Sequence, residues 1–195
     1  MPRIQYVGDD GTGFDEVQGS DRRFNVSSRS DGRAYYNSRD RSEAYVATFD
    51  DAKATAADYV FYLKNTKTDG KHLVIQHVGL NCESVSAVFK MVLVDSSVAP
   101  SGGTTITPTN NNQAGVAKSA TVDCQGPTDS DSTPMTLSAV TDTLDIASTT
   151  GAFGHEEFRS ADTIRLGQNQ AIAIELDAAS ATSVRTFGAC FFYFE

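Results

Sequence analysis

The sequence of 195 residues has no tryptophan, three cysteines, three methionines and five prolines. No apolar stretch approaches the length needed to cross a bilayer, so no membrane partner is expected. The opening ten residues lack the apolar segment of a secretory signal. Cys82, Cys124 and Cys190 are odd in number and far apart. They read as buried thiols of a reducing compartment and not as a disulfide framework. Basic side chains are outnumbered, Lys+Arg 16 against Asp+Glu 25, for a net charge of −9. That balance excludes non-specific binding to nucleic acid. Leucine is sparse, at 8, and lysine sparser, at 6, so the residues that build helical surfaces are missing.

What is abundant is β-forming and turn-forming. The chain holds 20 Thr, 19 Ser, 16 Val and 15 Gly. Thr and Val are stiff at χ1 and suit a pleated surface, while Ser and Gly supply turns. The expected class is all-β: a jelly-roll-like antiparallel β-sandwich preceded by an extended N-terminal arm.

Residues 1–43 form that arm. They contain seven of the ten Arg and no Lys, with eight acids, so the segment has a net charge of −1 (7 − 8) and the remainder −8 (9 − 17). Its apolar residues are scattered singly and cannot form a core. Arg22, Arg23, Arg29, Arg33, Tyr35, Tyr36, Arg39 and Arg41 suit docking on a partner, because guanidinium forks and aromatic faces dominate such contacts.

The sandwich domain spans 44–195. Strands are expected at 45–49, 58–64, 71–80, 83–95, 104–108, 115–124, 135–140, 143–146, 154–158, 163–166, 171–177 and 183–194, with 51–57 a loop. The segment 83–95 alternates most clearly, with Val85, Ala87, Phe89, Met91 and Leu93 in one register and a mixed second register half-covered by a neighbour. In 71–80, Leu73, Ile75 and His77 are expected on one side and Val74, Gln76 and Val78 on the other. This number of short strands in about 150 residues matches the size of a two-sheet jelly roll. The closing Phe191, Phe192, Tyr193 and Phe194 are too apolar for an exposed edge and belong in a sheet or a subunit contact.

No catalytic centre stands out, and no enzyme is expected. His72 and His77, five apart in one strand, fall on opposite faces and cannot jointly chelate. His155-Glu156-Glu157-Phe158-Arg159 has Arg where a zinc protease needs a second His. Cys124 and Cys190 lack the spacing of a zinc site. Asp9 to Glu16 lacks the alternating carboxylates of a calcium loop. The glycines at 11, 13, 102 and 103 lack a following Lys-Ser/Thr. No metal and no cofactor is expected. A glycan is the competing ligand, with Tyr35, Tyr36 and Tyr45 as stacking faces.

Several segments in order carry a resemblance: Leu63-Lys64-Asn65-Thr66; Lys71-His72-Leu73-Val74-Ile75 with Val78; Gly102-Gly103-Thr104-Thr105-Ile106-Thr107-Pro108-Thr109-Asn110; Leu166-Gly167-Gln168-Asn169-Gln170-Ala171-Ile172-Ala173-Ile174; and Phe192-Tyr193-Phe194-Glu195. From about residue 33 onward the chain resembles bacteriophage capsid decoration (cement) proteins. The resemblance implies a virion structural protein on the capsid exterior, assembled in the host bacterial cytoplasm. Its partners would be the major capsid protein and itself, as a homotrimer. Residues 1–32 lie outside the resemblance, so what the arm binds stays open; its residues are expected to contact the capsid or another partner, and residues 191–194 to be subunit contact or core. A tail or fibre component with a glycan-binding sandwich is the alternative the same layout allows.

Overall fold

The computed structural model describes residues 5–7, 14–16, 42–84, 86–95, 97, 99–112, 118–127, 134–151, 154–158 and 164–195. The chain divides into two units, Met1–Asp31 and Gly32–Glu195. In the first, β1 (Gln5–Val7) and β2 (Phe14–Glu16) pair antiparallel, with Tyr6 opposite Asp15. Arg22, Arg23, Arg29, Arg33, Tyr35, Tyr36, Arg39 and Arg41 lie outside the described residues.

The second unit is built from strands alone among its described residues, so no helix there is long and apolar enough to cross a membrane. They are β3 (Ala44–Ala54), β4 (Asp58–Asn65), β5 (Leu73–Cys82), β6 (Ser86–Val94), β7 (Thr104–Thr105), β8 (Thr109–Asn110), β9 (Val122–Gly126), β10 (Val140–Thr150), β11 (Gly154–Glu157), β12 (Arg165–Leu166), β13 (Ala171–Ala179) and β14 (Val184–Phe194). One sheet has the order β11-β5-β14-β3-β8, with β12 also on β5, and the other the order β10-β6-β13-β4-β9-β7. Every pairing is antiparallel. Without the short added strands, the orders are β3-β14-β5-β11 and β4-β13-β6-β10. Successive strands change sheet at each step except from β6 to β10, and the last strand returns beside the first. That connectivity is a jelly roll, two interleaved Greek keys.

The core lies between the sheets. From β14, Thr186, Cys190, Phe192 and Phe194 face inward and are buried. Tyr45 stacks on Phe192 at 5.5 Å between ring centroids and meets Phe194 edge-on at 6.0 Å. Ala87, Phe89 and Met91 of β6 and Ile172, Ile174 and Leu176 of β13 complete the same cluster. The outward Val92 and Val94 of β6 are buried too, because Met135 lies with them, Tyr62, Ala171 and Ala173 in a second cluster.

Several local expectations are corrected. β3 does not stop at Phe49: it continues through 51–54, because β14 offers partners as far as Ala54; Asp51 pairs with Thr186, and the register shifts between Asp51 and Ala54, where Asp51 Oδ1 accepts the Lys53 N–H at 3.0 Å. The strand expected at 135–140 does not form, Thr136 making only an isolated bridge to Ser101, whereas the one expected at 143–146 belongs to the longer β10, which starts at Val140 and runs on through Ala147-Ser148-Thr149-Thr150 against β6. Those small polar residues have no apolar period of their own, and the neighbour supplies the order. Of the strand expected at 115–124, residues 115–117 lie outside the described residues, 118–121 are not strand and β9 begins at Val122; of 104–108 only Thr104–Thr105 is strand. In β5, Gln76 is bulged out of register between the pairs Phe191–His77 and Phe192–Ile75. The alternation slips there, so Val78, Leu80 and Cys82 join Leu73 and Ile75 inside, and His77 faces out.

The three thiols are free and buried. Burial pushes those of Cys124 and Cys190 well up, and the Asp123 carboxylate adds to the effect at Cys124.

Glu43, just before β3, ties the strand to the β4–β5 turn. Its carboxylate accepts from Lys67 Nζ at 3.1 Å and from Lys71 Nζ, while Lys67 sits 4.5 Å over the Phe194 ring. Burial pushes the Glu43 carboxyl up, but the two lysines together outweigh it and hold it below the ordinary 4.5. The folded carboxyl therefore binds its proton more weakly than the unfolded one. Its contribution is full above pH 4.5 and fades as pH falls through the depressed folded value. Urea unfolding of Glu43→Gln at pH 7 is expected to show a loss of about 1–3 kcal/mol, and acidification should narrow the gap to the parent. A gap that widens on acidification would contradict the assignment. Thr149 Oγ1 is buried without a partner. Thr149→Val is therefore expected to raise stability by about 1 kcal/mol, read as an upward shift in Tm.

Candidate functional site

The outward face of the β11-β5-β14-β3 sheet carries a trough of about 510 Å³. Strand register makes it. One row across the sheet is Asp50, Phe187, Asn81 and His155, each opposite the next. The neighbouring row is Thr48, Ala189, Gly79 and Glu157, and the row beyond holds Val46, Phe191 and His77. Two rows with aromatic side chains thus flank a row whose middle residues, Ala189 and Gly79, are small. Phe187 and Phe191, four residues apart on one strand, stand about 13 Å apart at the backbone.

Two glycines deepen the trough. A methyl on Gly188 would lie 2.3 Å from the Gly79 carbonyl oxygen and 2.6 Å from Phe49 Cζ. The bare backbone there lets the Phe49 ring, rooted in the core, form part of the floor. A methyl on Gly79 would lie 3.1 Å from His155 Cε1 and 3.2 Å from His77 Nε2, so both imidazoles lean over that residue.

An ion pair and a histidine–carboxylate cluster border the trough. Arg185 grips Asp50 with two bonds, Nε to Oδ1 at 2.9 Å and a terminal nitrogen to Oδ2 at 2.6 Å. Arg185 holds the Asp50 carboxyl below its usual range, and its guanidinium lies 5.5 Å from the Phe187 ring. Glu157 Oε1 lies 3.4 Å from His155 Nε2 and 3.6 Å from His77 Nε2. Among the described residues, no group of three or more His, Cys, Asp or Glu side chains is arranged to hold a metal ion.

The sequence-predicted residues are dispersed. Phe191 is half-buried in the trough wall, with its ring 5.8 Å from His77. Phe192 and Phe194 are core, and Tyr193 packs outward on Val74 and Ala44. Their strand is interior, hydrogen-bonded on both edges to β3 and β5, so it offers no free edge to another subunit. Tyr45 is buried and hydrogen-bonds the Ser42 carbonyl at 3.3 Å, so it is no stacking face for a sugar. Tyr35 and Tyr36 lie outside the described residues. His72 precedes β5, and the bulge at Gln76 turns His77 to the outer face, which cancels the parity argument that set the two on opposite sides.

Phe187, Gly188, Ala189, Asn81 and Gly79 were missed. A signal exists in retrospect: Phe187-x-Ala189-x-Phe191 and His77-x-Gly79-x-Asn81 each place a small residue between two larger ones at period two. Only their lateral alignment makes a trough, and that needs the register.

The chain matches no protein-family model, no curated protein and no solved structure.

Gly188→Ala is expected to cost about 1–3 kcal/mol, because neither a carbonyl nor a packed ring can retreat far. A chemical-denaturation midpoint unchanged from the parent would show that the close approach is not what the fold depends on.

Proposed function

We propose that the chain is a non-enzymatic structural protein of a phage virion, most simply a head decoration (cement) protein that binds the capsid exterior and reinforces contacts between capsomers. The observation that carries this reading is the edge of the second sheet. Strand β10 ends that sheet, is eleven residues long and has no partner on its outer side among the described residues. The other sheet ends are closed by two-residue β7 and β8 and by four-residue β11. The large hydrophobic side chains exposed among the described residues are Val140, Leu144 and Ile146, all in β10, with Ile146 57% exposed. A long edge with apolar side chains is a surface that proteins cover by assembly. Identical sandwiches would meet there around a symmetry axis, a trimer as the resemblance to decoration proteins implies.

In this reading the jelly roll is a rigid plug, and the Arg-rich arm makes the contact with the major capsid protein. Binding across capsomers stabilises the shell by mass action, because the ruptured shell no longer offers the site. The excess negative charge of 44–195 keeps the outward surface soluble and non-adhesive.

The test mixes purified protein with phage shells prepared without it, followed by sedimentation and particle imaging. Saturable binding at fixed lattice positions and greater heat resistance of the shells are expected. Protein that stays in the supernatant would sink the reading. In parallel, Ile146→Asp should shift the oligomer toward monomer in sedimentation velocity, with far-UV circular dichroism unchanged. An unaltered oligomer would remove β10 from the contact.

A further inference from the structure

From the trough across the outer sheet we infer a binding site for a neutral saccharide. This inference does not rest on the virion reading, and either can fail alone.

The chemistry of the walls selects the ligand. The ionised pair at the trough, Asp50 with Arg185, is already closed on itself, and Glu157 Oε1 lies against the His77 and His155 nitrogens, so a charged ligand would compete with contacts already made. The neutral polar groups are the available ones. Among the described residues, the Asn81 side-chain amide and the Thr48 hydroxyl take no hydrogen-bond partner. An amide offers two donors and an acceptor, and a hydroxyl offers one donor and its lone pairs, all without charge. Between them lie the half-buried Phe187 and Phe191 rings and a floor of Gly79, Ala189 and the Phe49 ring. A ligand that fits is uncharged, rich in hydroxyls and apolar on its ring faces. A sugar ring has all three properties.

Size and position agree. A volume of about 510 Å³ falls within the range of roughly 300–1,000 Å³ typical of small-molecule sites. The trough lies across a sheet face whose backbone groups are already paired between strands. A peptide could not add itself there as an extra strand, because that mode needs a free edge. It would have to rely on side chains alone.

The experiment uses the full-length protein with four probes, maltotriose, lactose, tri-N-acetylchitotriose and mannotriose. Saturation-transfer NMR screens them and calorimetry measures affinity. Saturable binding of at least one is expected. Asn81→Ala and Phe187→Ala should each weaken it at least tenfold with the Tm preserved, while Thr105→Ala on the far sheet leaves it unchanged. Because Phe187 also packs under Arg185, Thr48→Val serves as a second polar variant that leaves the aromatic wall intact. Absence of saturable binding to all four probes by the folded parent would overturn the inference. So would binding that survives Asn81→Ala and Thr48→Val. An apolar dye that occupies the trough and is not displaced by any sugar would also overturn it, and would mark an apolar ligand site instead.

Discussion

The sandwich depends on β14 filling the slot between β3 and β5. It is the last strand of the chain, yet it pairs with the first strand of the jelly roll along nearly its whole length and with β5 on its other side. Its inward side chains carry Phe192 and Phe194 into the aromatic cluster with Tyr45, and its inward Cys190 is buried. Closure of the sandwich therefore waits for β14. Until those residues arrive, β3 and β5 have unpaired inner edges and the core lacks its largest rings. A topology built on contacts this distant in sequence also predicts slow folding.

The same strand builds the outer surface. Its inward residues are fixed by the core, and period two then delivers Phe187, Ala189 and Phe191 to the other face without further cost. Gly188 is where the two demands meet. It points inward, under a neighbouring carbonyl and against Phe49, and any side chain would push the sheet apart. The trough is thus not an addition to the fold but the reverse side of its packing. The bulge at Gln76 plays the matching part in β5, because it turns His77 outward next to Phe191 while keeping Val78 in the core.

Much of the fold was legible because alternation is a local property. Ala87, Phe89 and Met91 face one way for the reason their spacing says, and the clusters of Gly, Asn, Asp and Ser do separate strands. The errors share a cause. Asp51 to Ala54 and Ala147 to Thr150 have no apolar alternation of their own and are held extended by a partner far away in sequence. The Gln76 bulge is invisible for the same reason: one extra residue changes the face of everything after it, and only the opposite strand shows that it is extra. The site was less legible still. Tyr45 reads as an exposed ring and is core, whereas Asn81 and Gly79 read as strand filler and line the trough.

By itself the sequence determined the all-β class, the antiparallel sandwich, the burial of the thiols and the uneven charge along the chain, because composition and period-two spacing act within a few residues. Which strands lie side by side, where register slips, which edge stays open and which side chains from four strands form one row were decided only in the tertiary structure. Those outcomes depend on pairing across more than a hundred residues, where a one-residue shift exchanges the inside of the protein for the outside.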